Sequence, residues 1–482
     1  MIKRTLAGLA AVTMCATLAS CGGESTSTTE EVVSTAATTT AVTVEVNTET
    51  LNEEKQKTLD DIANEKLRDV ELENKTIKWL AHYDINPNET SGTSESIPLN
   101  LFRTKYGGEV KYYPTTWDAR YSDLSTYVLG GEGIDFFPCD TAALPKGIIN
   151  GMFQPVDEYI DINSELWQGV AEGMEIYNFN GKHYELVNNI SAEQICLYNK
   201  KTIEEHGFDD PWELYEAGNW NWDTFEGMLA DFVDPEAEQY GLDYWYNEKA
   251  LLLSAGVPSI SSVDGKLTVN LMDPDIEKAL NWQYDLNQKG LVMDLAQFDW
   301  NVHPEYLGEG KELFLLVGSW DVNGVPETWK CGVAPEDLGI VPVPSPAGYN
   351  NFQSATLDGW VICKGASNPL GVAIFAECNR LANTNEEATA IGTQKLMEES
   401  GWTEEMVAHN DECNRLATEF PVVDLATGVS TDVASLTTDG GAEIGLRAPF
   451  HGTPWASTRD EINDVVVMLV EEADGQIAAM GE

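Results

Sequence analysis

The sequence predicts an α/β fold, and three observations predict it. Between residues 76 and 137, short runs rich in aromatic and β-branched residues alternate with amphipathic segments, and Gly-Gly pairs stop two of those segments. That alternation is the signature of a parallel sheet with crossover helices. The chain has 482 residues, enough for two or three domains of ordinary size and a large core. Its last third reads as mostly helical.

Each element follows from local chemistry. From Gln56 to Glu73, Leu59, Ile62, Ala63, Leu67 and Val70 fall at helical spacing, giving a helix that either begins the fold or extends a stalk. Thr76–Leu80 reads as a strand, Ile97–Tyr106 as a helix ended by Gly107-Gly108, and Glu109–Tyr113 as a second strand. Trp117–Leu129 reads as a helix ended by Gly130-Gly131, and Gly133–Phe137 as a third strand. Asn180-Gly181 lies between two β-like runs and predicts a hairpin, as does Asp264-Gly265. Asp273 caps a helix with Pro274 in its first turn and Ile276, Ala279, Leu280 and Tyr284 on its apolar face. Phe314–Val317, Gly339–Val343 and Gly359–Cys363 read as buried strands. Asn368 starts a helix over Pro369–Leu381, and a last helix runs from Glu461 to about Met480. No internal repeat is evident.

The N-terminal segment is of another kind. Lys3 and Arg4 precede an apolar stretch from Leu6 to Leu18, the layout of a secretory leader and too short for a spanning helix. Leu18-Ala19-Ser20-Cys21 resembles the bacterial lipobox, in which the Cys becomes a diacylglyceryl-modified N-terminus. The resemblance implies a leader over 1–20, a lipid anchor on Cys21 and a Ser/Thr/Glu-rich tether to residue 55. The protein would then sit on the outer, extracellular face of the cell membrane. The plainer alternative is an ordinary signal peptide in which Cys21 is incidental. No second apolar run approaches the roughly 20 residues needed to cross a bilayer.

Charge and cysteines narrow the function. A formal net charge of −52 repels phosphate backbones and anionic lipid headgroups, so neither nucleic acid nor a basic-patch membrane contact is expected. Beyond Cys15 and Cys21, the six cysteines Cys139, Cys196, Cys331, Cys363, Cys378 and Cys413 form no C-x-x-C pair and have no His at zinc-ligand spacing. Disulfides and buried thiols both remain open for them. No nucleophile elbow, H-E-x-x-H, phosphate loop or EF-hand spacing occurs. Gly308-Glu309-Gly310-Lys311 is too short for a phosphate loop, and His82 and His451 are isolated.

The aromatic residues point further. Trp117, Trp245-Tyr246, Trp320, Trp360 and Trp455 each lie near the end of an expected element, beside Gly, Pro or a polar residue. Sugars present flat C–H faces and a rim of hydroxyls, which suit an indole plate beside a carboxylate or amide. A Trp at an element end also serves simply to plug the core edge, so each one carries both readings.

Five segments in order carry a family resemblance. They are Thr76–Asp84 (TIKWLAHYD), Gly133–Asp140 (GIDFFPCD), Leu197-Tyr198-Asn199-Lys200, Gly218–Asp223 (GNWNWD) and Cys363–Pro369 (CKGASNP). With the lipobox, they resemble the extracellular solute-binding proteins of bacterial ABC transporters, particularly the sugar-binding group that includes maltose-binding protein. Ile134 departs from the family's usual Pro, and the match is loose after about residue 385.

The resemblance implies a two-lobe, type II periplasmic-binding-protein-like α/β fold. The crossing-strand hinge would lie near Ala192–Tyr198 and Ser354–Cys363, and the C-terminal region would be helical. Lobe 1 would hold residues 56–195 and 355–384 and lobe 2 residues 196–354, with 385–482 mainly in lobe 2. By position, the loop after the first strand offers His82, Tyr83 and Asp84 to a ligand. The loop after the third strand offers Cys139 and Asp140, and the hinge offers Ser191 and Glu193. The second lobe offers Trp320 and Asp321, and the later crossing Asp358 and Trp360. Trp117, Arg120, Trp245 and Trp455 complete the set, while Trp220 and Trp222 open a helix and are structural. The resemblance further implies a monomer without cofactor, metal or catalysis. It would bind a neutral mono- or oligosaccharide between the lobes and deliver it to ABC permease subunits. The alternatives are a surface-anchored carbohydrate-active enzyme and a sensor or adhesin on the same fold.

Overall fold

A computed structural model describes residues 52–87, 94–244, 246–298, 301–441 and 444–480. The leader, Cys21, most of the tether and Trp245 lie outside the described residues. The first helix, Glu53–Lys66, is capped by Asn52, whose side chain accepts from the Lys55 amide at 2.9 Å. It buries Leu59, Ile62 and Ala63 against the main core, so it begins the fold rather than extending a stalk.

Two sheets organise the chain. In the larger, Thr76–Ala81 pairs parallel with Glu109–Pro114 on one side and with Phe136–Pro138 on the other. This is the parallel unit that the strand–helix alternation predicts. The long strand Gln353–Cys363 then joins antiparallel beside Phe136–Pro138 and carries Glu185–Ala192, Phe153–Gln154 and Pro421–Val422. The smaller sheet is antiparallel, with Ile195–Asn199 between Leu315–Val317 and Leu338–Val341. Two apolar clusters form, and the smaller sheet lies between them, with Leu197, Leu315, Val317 and Ile340 facing the main core and Cys196, Tyr198, Leu316 and Val341 the second. Trp79, Phe102, Phe136 and Phe375 belong to the main core, and Tyr198, Trp220, Phe225 and Phe314 to the second. The chain passes between the sheets at residues 193–194 and again at 342–352. Among the described residues these are the two crossings between the sheets, and they establish the two-lobe α/β architecture; the second precedes the expected Ser354–Cys363, which lies within the long strand of the larger sheet.

Both hairpin turns form, with Asn180-Gly181 at φ 55° and 69° and Asp264-Gly265 at φ 52° and 74°. Trp220 and Trp222 donate their indole N–H groups to the carbonyls of Pro342 (2.8 Å) and Pro344 (2.9 Å), and Asn221 caps the helix Trp222–Phe232. Two helix starts differ from expectation. The helix expected from Trp117 begins at Arg120, because the Thr116 hydroxyl accepts from the Ala119 amide and holds a turn there. The last helix starts at Trp455 rather than Glu461, with Pro454 as the preceding cap residue.

The C-terminal helices distribute over both sheets. Glu386–Ser400 packs on the helices Glu53–Lys66 and Ile97–Tyr106. Glu404–Glu419 lies against both Glu185–Ala192 and Leu338–Val341. Trp455–Ala479 lies against Lys266–Val269, Pro274–Gln288 and Lys146–Ile149. All six cysteines of the folded body are free thiols. Among the described residues no helix is long and apolar enough to cross a membrane.

Candidate functional site

A cleft of about 940 Å³ opens where the two sheets meet. Its floor is the antiparallel pair Glu185–Ala192 and Gln353–Cys363, which brings Ser191, Thr356 and Asp358 to the opening. The Ser191 hydroxyl donates to the Asp358 carboxylate. The enclosing walls push this carboxyl up to about 6, against the pull of the Ser191 bond, while its edge stays open to the cleft.

The lobe-1 wall is built on Asp140. Its carboxylate accepts from Arg120 Nε at 2.7 Å, from the Tyr121 hydroxyl and from the Ala142 amide at 2.9 Å. Arg120, itself buried, also donates to the Trp117 carbonyl and lies 3.6 Å over the Trp117 ring. The guanidinium therefore braces the indole, which remains 54% exposed. This geometry exists because Trp117 sits on the turn before the helix and not within it.

The lobe-2 wall follows the strand Leu315–Val317. A Cβ on Gly318 would lie 2.1 Å from Trp320 Nε1 and 3.0 Å from the Glu193 carbonyl, so glycine lets the indole fold back over the chain. Trp320 is 45% exposed, and the Tyr246 ring stands edge-on to it at 5.8 Å. Tyr246 has φ +84°, a left-handed conformation that strains a bulky residue. Between the walls, Glu193 pairs with Lys249 and accepts from the Ser354 hydroxyl at 2.5 Å. Burial pulls the Lys249 ammonium down, and Glu193 more than offsets this, holding it above its usual range. Arg447 pairs with Glu248 at 2.9 Å.

Thus Trp117, Arg120, Asp140, Ser191, Glu193, Trp320 and Asp358 come together at the cleft. Of the other candidates, Tyr83 is exposed and faces Asp358 and Asp140 beside the cleft, while the rest of those described do not line it. His82, itself exposed, stands edge-on to Trp117 at 5.0 Å. The Tyr83 ring packs against Trp79, and Asp84 accepts from the Asn86 amide in a local turn. The Cys139 thiol is pushed up by burial and then by Glu185, and Asp321 is buried, accepting from the Cys331 amide at 3.2 Å. Trp360 stacks on Phe375 in the main core at 4.8 Å, and Trp455 is fully buried. Trp245 lies outside the described residues.

The sequence reading missed a third wall. Asp424, Thr427, Thr438, Asp439 and Arg447 reach the cleft from a stretch that matches no local motif. Pairing of Val422 with Ser354 at the hinge brings that stretch in. Tyr246 and Lys249 had a signal, since Tyr246 belongs to the Trp245-Tyr246 pair and Lys249 closely follows it. The chemistry of the whole is that of recognition. Arg120, Lys249 and Arg447 are each bonded to a carboxylate, while Asp358, Asp424 and Asp439 also line the opening. Aromatic plates stand among them on both walls.

Comparison with known proteins agrees with this architecture. The sequence model of a family described as bacterial extracellular solute-binding protein matches residues 100–394. No curated protein matches the sequence. An ABC substrate-binding protein from Listeria monocytogenes, solved with cycloalternan, is similar in fold with a TM-score of 0.59 and 15% identity, covering 81% of this chain and 98% of that one. A transporter-associated binding protein from B. animalis subsp. lactis, solved with beta-1,6-galactobiose, has a TM-score of 0.58 and 15% identity, covering 83% and 98%. The sugar-binding protein MalE from Xanthomonas citri has a TM-score of 0.57 and 15% identity, covering 84% and 98%.

Proposed function

Because this chain belongs to the bacterial extracellular solute-binding proteins, we propose that its cleft binds a neutral mono- or oligosaccharide and hands it to the permease of an ABC importer. The observation that carries this reading is the pairing of exposed indoles, Trp117 on one wall and Trp320 on the other, across a floor of carboxylates and hydroxyls. The plates suit the C–H faces of sugar rings. Asp358 and the Ser191 and Thr356 hydroxyls suit the hydroxyl rim. The cleft's cations are already committed to carboxylates, which leaves little to hold a phosphate or uronate. Similar folds solved with cycloalternan and galactobiose support a sugar as the ligand class.

Closure of the lobes about residues 193–194 and 342–352 would bury the ligand and give the permease a shape to recognise. The protein acts without catalysis in this reading. Titration calorimetry against a panel of neutral glycans tests it. Saturable binding of one glycan, with no new reducing ends released, is the expected result. Binding of a peptide or polyamine and of no glycan overturns it.

The lipid on Cys21 completes the proposal. A receptor of this kind must stay near its transporter, and a strongly acidic surface cannot hold it on anionic lipid. Cys21→Ala should release ligand-competent protein into the medium. Retention of that variant in the membrane fraction would rule out the anchor.

A further inference from the structure

A buried cation without an anion stands behind the floor of the cleft. Arg380, 3% exposed, lies near the end of the helix Pro369–Thr384. It donates from Nε to the Leu166 carbonyl at 3.1 Å and from Nη1 to the Asn188 carbonyl at 2.8 Å. Among the described residues no carboxylate forms an ion pair with it, and burial draws its ionisation down to about 10. An uncompensated buried charge is costly. A Leu or Met would fill the same volume at less cost, so the packing of the helix does not explain Arg380.

What it holds does explain it. Across the floor, Asn189 pairs with Asp358 and Val187 with Gly359, so Asn188 is the extra residue of a β-bulge. The bulge is tight. A Cβ on Gly359 would lie 2.4 Å from Glu185 Oε1 and 2.7 Å from the Leu186 carbonyl. Bulges re-aim the side chains beside them, and the side chain beside this one is Asp358, the carboxylate that meets Ser191 at the centre of the floor.

We propose that Arg380 is a positioning residue for ligand binding: by holding the Asn188 carbonyl from behind, it fixes the bulge that aims Asp358 into the cleft. This rests on the cleft being the ligand site. It adds a residue that touches neither cleft nor ligand, and it assigns the buried charge a purpose. Arginine suits the task because its fork spans two carbonyls at fixed geometry, which a lysine ammonium cannot do.

The test reads Asp358 directly in the ligand-free protein, by carbon-detected NMR titration of its carboxyl, assigned with Asp358→Asn. The groups that face it are Ser191, the Glu185 carboxyl and the Tyr83 phenol. In Arg380→Met the midpoint should fall toward the ordinary carboxylate range by about one unit, a tenfold change in the equilibrium. Amide exchange at 186–190 and 357–360 should quicken at least about tenfold while Ile195–Asn199 is unchanged. Arg380→Lys should shift Asp358 in the same direction and by less. If Arg380→Met does not fold, Arg380→Lys decides. A folded variant with an unmoved Asp358 midpoint overturns the proposal. No sugar is needed for this measurement, so a failed glycan titration would sink the sugar reading and leave this result standing.

Discussion

The two walls of the cleft present the same kind of side chain and hold it by different means. Trp117 is braced from behind by Arg120, which is fixed in turn by Asp140, so an ionic cluster orients the indole. Trp320 folds back over Gly318, where the lack of a Cβ makes room, and it meets Tyr246 on strained backbone. Each indole has a cation over its ring, Arg120 at 3.6 Å from Trp117 and Lys330 at 5.2 Å from Trp320, but the first wall adds the Asp140 ion pair and the second adds the backbone at Gly318. Loss of that ion pair should therefore damage lobe 1, and a single added carbon should damage lobe 2.

The largest effect should come from Asp140→Ala. It leaves Arg120 buried without its carboxylate and frees the Tyr121 hydroxyl, and breaking such a pair costs about 3–5 kcal/mol. Denaturant unfolding should show that loss, with sugar affinity falling as Trp117 loses its brace. Unchanged stability would mean that the cluster does not hold the wall.

Gly318→Ala should come next. The added carbon forces Trp320 off its seat, and affinity should fall about tenfold, or about 1.4 kcal/mol, with little change in stability. In a double-mutant cycle with Trp320→Ala the two losses should fail to add, because both remove the same plate. Full additivity would show that Gly318 acts on something other than the indole.

The pH-dependent effect lies on the floor that both walls share. The Asp358 carboxyl is raised from 3.8 to about 6 in the folded protein, so folding favours its neutral form. Between those values the unfolded chain has already lost its proton while the folded protein still holds one. Stability therefore falls as pH rises from about 4 to about 6, and is level above that as far as this group is concerned. Asp358→Asn should lack the fall. The gap between the two unfolding midpoints, followed against pH, should drift only in that window. A gap constant with pH would place Asp358 in ordinary solvent.

How legible each part was depends on the range of the forces involved. The parallel strands near Thr76, Glu109 and Phe136 were legible because β-propensity, helix stops and glycine turns act within a few residues. The hairpins at Asn180 and Asp264 were legible for the same reason. Trp360 and Trp455 were not. A Trp at an element end looks the same whether a cleft or a helix lies opposite. Here Phe375 covers Trp360, and the start of the last helix buries Trp455. The third wall at 424–447 was invisible because it reaches the cleft through pairing of Val422 with Ser354, some 70 residues away in sequence.

Position within the family resemblance supplied the candidates on the floor and the first wall, while the sequence by itself determined the α/β class, the order of the elements and the acidic surface. Local periodicity, turn chemistry and charge settle these without reference to distant contacts. Only the tertiary structure decided which indoles face the cleft and which plug the core. It also decided that Arg120 braces Trp117 rather than waiting for an anion, and that a bulge backed by Arg380 sets the aim of Asp358. Those outcomes depend on which surfaces cover one another once two sheets and their helices have packed. No residue carries that information in its immediate neighbours.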